Sequence, residues 1–300
     1  EEGRGNPYKF GMVGASDTHT GAISDDESNF TSKIGIFDGT PEGRGSAPLT
    51  GENLELVLQA PIRQLNLKKI GDRYFNNAVF NQWGASGLAA VWAEENTRNS
   101  IFEAFRRKET YATSGTRIKL RFFAGYDLDG SLLDSDDAIK QAYKLGVPMG
   151  QDLESSDGAK PSFMVWALRD KNSAPLQRVQ IIKGWVDRIT GKPYEEVIDI
   201  MCSDGLMPDS ETNRCPDNGA LVDISDCSIS SDVGANELKT VWTDKSFDPS
   251  VKAFYYVRVL ENPTCRWSTW DAIKTGNEPR EDLKKTIQER AWSSPIWYSY

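Results

Sequence analysis

Asp17-Thr-His19 sets a carboxylate and an imidazole two residues apart, and His19 is the one histidine in 300 residues. In an extended segment, residues i and i+2 point to the same side, so both groups can share one metal ion or one metal pair. A single imidazole excludes any site in this chain that needs two histidines or a His–Cys pair. Asp-x-His also describes a surface loop in which the aspartate caps a turn. The apolar run ahead of it and the flanking Gly14 and Gly21 favour a site. Glu94 and Glu95 follow a second apolar run and could reach a site at the same end as Asp17, but acids in the first turn of a helix suit its dipole, and that is the reading taken. Asp127-Leu-Asp129-Gly130 opens like a calcium loop. Its glycine falls at the fourth position instead of the sixth, and Ala138 replaces the terminal glutamate, so the reading is an acidic hairpin turn.

The elements that must position these groups are readable in outline. Tyr8 to Gly14 reads as a buried strand ending in a small-residue turn, and side chains just past a parallel strand are where α/β enzymes hold their chemistry. Residues 22–84 have a weak pattern and read as an insertion, with a helix near Glu52 to Leu58 that Pro61 interrupts. Gly87 to Ala93 is strand-like. An amphipathic helix follows, capped by Asn96 or Thr97, with Ile101, Phe102, Ala104 and Phe105 as its buried stripe and Arg106, Arg107 and Lys108 at its carboxyl end. Thr110 to Thr113 is extended. Beyond Gly115 the period is two, with strands at Ile118–Phe122, Phe163–Leu168, Val179–Trp185, Glu196–Ile200, Leu238–Thr243 and Phe254–Leu260. Strands in series without helices between them predict an antiparallel sandwich. The expected division is residues 1–115 and 116–300.

Lys+Arg 35 against Asp+Glu 44 gives a net charge of −9, without a basic cluster, so nucleic acid and membrane surfaces are excluded as partners. No apolar run approaches the roughly 20 residues of a spanning helix, so no membrane insertion is expected. Nine Trp, 10 Tyr and 12 Phe rule out disorder. Trp185, Trp242, Trp267, Trp270, Trp292 and Trp297 fit either a sugar-binding surface or a sandwich core, and the core is the reading taken. The four cysteines, Cys202, Cys215, Cys227 and Cys265, form no zinc pattern. The turn-rich stretch between Cys215 and Cys227 predicts a bridge closing that loop, and with it a periplasmic or secreted protein.

Asn6-Pro-Tyr-Lys-Phe-Gly-Met-Val-Gly-Ala-Ser-Asp-Thr-His-Thr-Gly21, Val91 to Arg98, Lys108 to Gly115, Ile182 to Asp187, Tyr255 to Val259 and Ala291 to Trp297 together resemble the family catalogued as domain of unknown function 3604, DUF3604. That family looks like a relative of the polymerase-and-histidinol-phosphatase (PHP) metal hydrolases, whose barrel ends in Gly-Ser-Asp-x-His. Gly14-Ala-Ser-Asp17-Thr-His19 fits the motif. The resemblance implies the carboxy-terminal portion of a PHP-like (β/α) barrel followed by an antiparallel β-sandwich, an α/β plus all-β chain. It also implies a hydrolase that cleaves a small-molecule phosphoester or related ester with a metal-bound water, Asp17 and His19 being ligands of a divalent metal such as zinc or manganese. The remaining ligands belong to an amino-terminal half, the expected partner, without which this chain is inactive. The alternative is a secreted sandwich that binds or packs without chemistry of its own.

Overall fold

The computed structural model describes residues 6–299. It is β-rich. Leu67–Ile70 (β1) and Arg73–Asn76 (β2) form a small hairpin within the 22–84 region, which also holds the short helices Pro41–Arg44 (α1), Gly51–Gln59 (α2) and Pro61–Gln64 (α3). Next come Leu88–Val91 (β3), Arg98–Arg107 (α4) and Thr110–Thr113 (β4), then Lys119–Gly125 (β5), Ala138–Leu145 (α5), Gly146–Pro148 (β6), Asp152–Glu154 (β7) and Ser162–Leu168 (β8). The chain finishes with Leu176–Val186 (β9), Pro193–Cys202 (β10), Glu237–Thr243 (β11), Ala253–Glu261 (β12), Thr264–Cys265 (β13), Trp267–Lys274 (α6), Thr286–Ile287 (β14), Arg290–Ser293 (β15) and Ile296–Ser299 (β16).

One sheet has the order β10-β9-β12-β15-β4-β3, with β16 pairing both β12 and β7. The other is β11-β8-β5-β6. Phe122, Phe163, Val165 and Leu238 of the smaller sheet share one core with Val179, Ile181, Tyr255 and Val257 of the larger, so the two pack face to face. The strands expected after Gly115 are all present. Lys183 is buried in this layer with its ammonium 2.6 Å from Asp244, which also accepts from the Tyr255 hydroxyl at 2.8 Å.

Several expectations are corrected. Tyr8 to Val13 is not a strand: its backbone bonds to side chains, Met12 N donating to Ser294 Oγ at 2.8 Å and the Thr110 hydroxyl to Met12 O at 2.8 Å. Tyr8, Phe10 and Val13 face water, at 71%, 55% and 52% exposure. Among the described residues no barrel segment forms. The unit β3-α4-β4 joins antiparallel neighbours, whereas a barrel's βα crossover joins parallel ones, and among the described residues only β7 and β16 pair in parallel. The larger sheet also runs across Gly115, since β15 pairs β4. Helix α4 is capped as expected by the Thr97 hydroxyl, but of its predicted stripe only Ala104 is buried, and Phe102 and Phe105 are exposed. The Asp129 turn leads into a 3-10 helix, Gly130–Asp134, and then α5, not a hairpin.

The disulfides are Cys202–Cys215 and Cys227–Cys265, so the expected Cys215–Cys227 bridge does not form. Asp199 on β10 accepts from Cys215 N at 2.8 Å and thereby draws Cys215 to the end of the strand where Cys202 stands. Cys227, in a left-handed turn closed by its own N–H on Asp223 O, meets Cys265 on β13. Trp267 is fully buried and stacks on Phe30 with ring centroids 4.9 Å apart, whereas Trp297 lines a surface cleft.

Candidate functional site

The Asp17–His19 loop is built on the entry to β3. Gly14 passes so close to Leu88 that a Cβ there would lie 2.3 Å from the Leu88 carbonyl oxygen, which leaves only glycine at that position. Ser86, fully buried, donates its N–H to Ser24 O at 2.7 Å and takes Ser24 N on its hydroxyl at 3.3 Å. The Thr18 hydroxyl reaches the same Ser86 oxygen at 3.5 Å. His19 N donates to Lys33 O at 2.7 Å, which ties the loop to residues 32–38. Those residues are held in turn by the buried Asp38, whose carboxylate accepts from Lys33 N at 2.7 Å, Ile34 N at 2.9 Å and the Ser32 hydroxyl at 2.6 Å.

Asp17 and His19 are both exposed. Asp17 has φ +53, a left-handed conformation that aspartate tolerates, so the alternation of an extended segment does not hold through it. The Lys33 side chain is buried; burial lowers its pKa, opposed by the charges of Asp17, Glu27 and Asp38. Nothing in the local sequence marked Lys33, since its burial comes from the fold of the 24–46 loop. Glu94 and Glu95 are not brought to this place. They follow the far end of β3, whereas Thr18 touches Ser86 at its start, about 10 Å of strand away.

The residues present do not complete a metal centre. Among the described residues no group of three or more His, Cys, Asp or Glu side chains converges to hold an ion. A catalytic zinc normally takes three protein ligands, and a two-metal centre takes more.

A separate cleft of about 330 Å³ is lined among others by Asp25, Glu27, Thr116, Arg117, Asp170 and Glu289. Burial pushes the Glu289 carboxyl up to about 8, reinforced by the charge of Glu27, although the Ser114 hydroxyl bonds to it. Burial likewise raises Glu261 to about 7 and raises Glu27. Glu27 is held by the N–H groups of Ala85 and Trp267, each at 2.5 Å. These acids take up protons in the folded state that the unfolded chain has already released, so their contribution to stability is full below their ordinary range near 4.5 and is lost as pH rises towards 8. Melting temperature should therefore decline between about pH 5 and pH 8, and Glu289→Gln should flatten the decline. An identical slope in the variant would remove Glu289 from this account.

A β-sandwich chain with a loop of Asp-x-His type at one edge is thus the class defined by fold and site. The model of one family, described as "Protein of unknown function (DUF3604)", matches residues 1–300, and the chain belongs to that family. No curated protein and no solved structure matches the chain.

Proposed function

We propose that this chain is the carboxy-terminal part of a metal-dependent hydrolase of phosphoesters or related esters, with Asp17 and His19 contributing to a metal centre that an amino-terminal half completes. The observation that carries the reading is the placement of both residues on an exposed, tightly tied loop, in a chain that leaves apolar side chains uncovered. Tyr8, Phe10 and Val13 precede that loop in water, and Phe102 and Phe105 of α4 are also exposed. A monomer seldom exposes large contiguous apolar patches, and an amino-terminal half carrying the barrel is the occupant this reading assigns to them. The relation to PHP hydrolases rests on the motif Gly14-Ala-Ser-Asp17-Thr-His19. Two disulfides support export to an oxidising compartment, periplasmic or extracellular. No helix among the described residues is long and apolar enough to cross a membrane.

Calorimetric titration of the 1–300 chain with zinc or manganese should show no tight stoichiometric binding, and adding the amino-terminal half should restore it. In the longer protein, Asp17→Ala with His19→Ala should lower bound metal. Unchanged metal content would remove both residues from the centre. A tight two-metal site in the 1–300 chain alone would overturn the division of ligands.

A further inference from the structure

We propose that the outer face of the larger sheet carries a binding cleft for a neutral oligosaccharide, independent of the metal centre. Strand register sets Asp152, Trp297, Phe254, Gly184 and Glu195 in one lateral row across β7, β16, β12, β9 and β10. Ala253, Tyr255 and Val257 belong to the core, so Phe254 and its row neighbours point outward. The rings of Phe254 and Trp297 lie 5.1 Å apart at 47°. Gly184 is required beneath them: a Cβ there would fall 2.2 Å from the Phe254 ring, and any side chain would drive the ring off the strand.

The cleft encloses about 960 Å³. Trp185 and Tyr194 border it as well, but they stand in the neighbouring row that pairs with Ala253, so their stacked rings, with centroids 5.6 Å apart, turn to the opposite face, and Phe254 and Trp297 supply the rings of the cleft. The ends of the row are polar. Lys9 reaches Asp152 at 2.7 Å on one side, and Glu195 stands on the other. The indole N–H of Trp297 is buried and has no hydrogen-bond partner.

Ring faces bounded by charged groups fit a ligand with apolar faces and a hydroxylated rim, which is the chemistry of a pyranose ring. A purely apolar occupant would desolvate Glu195 and the Lys9–Asp152 pair without replacing their hydrogen bonds. The net charge of −9 opposes a polyanionic glycan, which leaves a neutral one. Four interstrand steps give the row a length of about 19 Å, longer than one sugar ring.

Titration calorimetry and tryptophan fluorescence of the 1–300 chain against cello-, chito-, xylo- and malto-oligosaccharides test the proposal. At least one series should bind and change the fluorescence, and both Trp297→Ala and Glu195→Gln should weaken it by about tenfold or more. Glu195→Gln lies at the exposed rim and should melt like the parent, which separates loss of binding from loss of fold. Absence of binding by every series at about millimolar concentration overturns the proposal, as does binding that neither substitution affects.

Discussion

Reduction of the two disulfides should be the most damaging single treatment of this chain. Chain entropy assigns the Cys202–Cys215 crosslink, with a sequence separation of 13, about 3 kcal/mol, and the Cys227–Cys265 crosslink, with a separation of 38, about 4 kcal/mol. A domain's whole stability is about 5 to 15 kcal/mol, so loss of both leaves little. The loss should begin locally. Residues 203–236 contain no named strand and only one isolated bridge within them, Val222 with Ile229, so the two disulfides, with a few hydrogen bonds such as Asp199 N to Asn213 O and the Leu176–Ala235 pair, fasten this long loop to the sheet. All four cysteines are buried, and reduction under native conditions should be slow. Denaturant curves of Cys202→Ser/Cys215→Ser and Cys227→Ser/Cys265→Ser should show the second pair costing more. Peptide mapping without reduction should recover 202 joined to 215 and 227 joined to 265; a 215–227 peptide would overturn the pairing.

The sandwich was legible because some of its strands alternate. Ile118, Leu120 and Phe122 bury one face while Lys119 and Arg121 do not, and β12 repeats the period from Ala253 to Val259, whereas β8 and the middle of β9 are buried on both faces and were legible as apolar runs. Pairing of the cysteines was not legible, because it depends on Asp199 receiving Cys215 N from a loop that no local pattern describes. Apolar content misled at two places for one physical reason. Tyr8 to Val13 and the Phe102, Phe105 stripe read as buried, and periodicity does signal a face that seeks cover, but the cover is not supplied by residues 6–299. Asp17 and His19 could be named from their types and spacing. The frame that holds them could not, since Ser86, Asp38 and the buried Lys33 reach the loop only through tertiary contacts.

That frame depends on one buried ion pair, and its removal should be the most damaging substitution. Arg44, at the end of α1, donates Nε to Asp271 Oδ2 at 2.6 Å and Nη2 to Asp271 Oδ1 at 2.7 Å, a two-point contact with both side chains almost wholly buried. The Ser46 hydroxyl adds a third bond to Asp271 at 2.6 Å. Arg44 also spends Nη1 on Thr31 O at 2.7 Å and Asp38 O at 3.1 Å, so one guanidinium joins α6 to both ends of the segment that carries Lys33. Asp271→Ala strands that cation among Phe30 and Trp267, whose rings lie 5.8 Å from it, and breaking such a pair costs about 3 to 5 kcal/mol. Arg44→Met should cost a similar amount, and the double variant less than their sum, because each single change leaves a charge without its counterion. Hydrogen exchange should then quicken first at Lys33 and Ile34, whose N–H groups bond to Asp38, and at His19, whose N–H bonds to Lys33 O. If Asp271→Ala costs less than about 1 kcal/mol, or leaves the exchange of His19 unchanged, then the ion pair does not set the geometry of the Asp17–His19 loop.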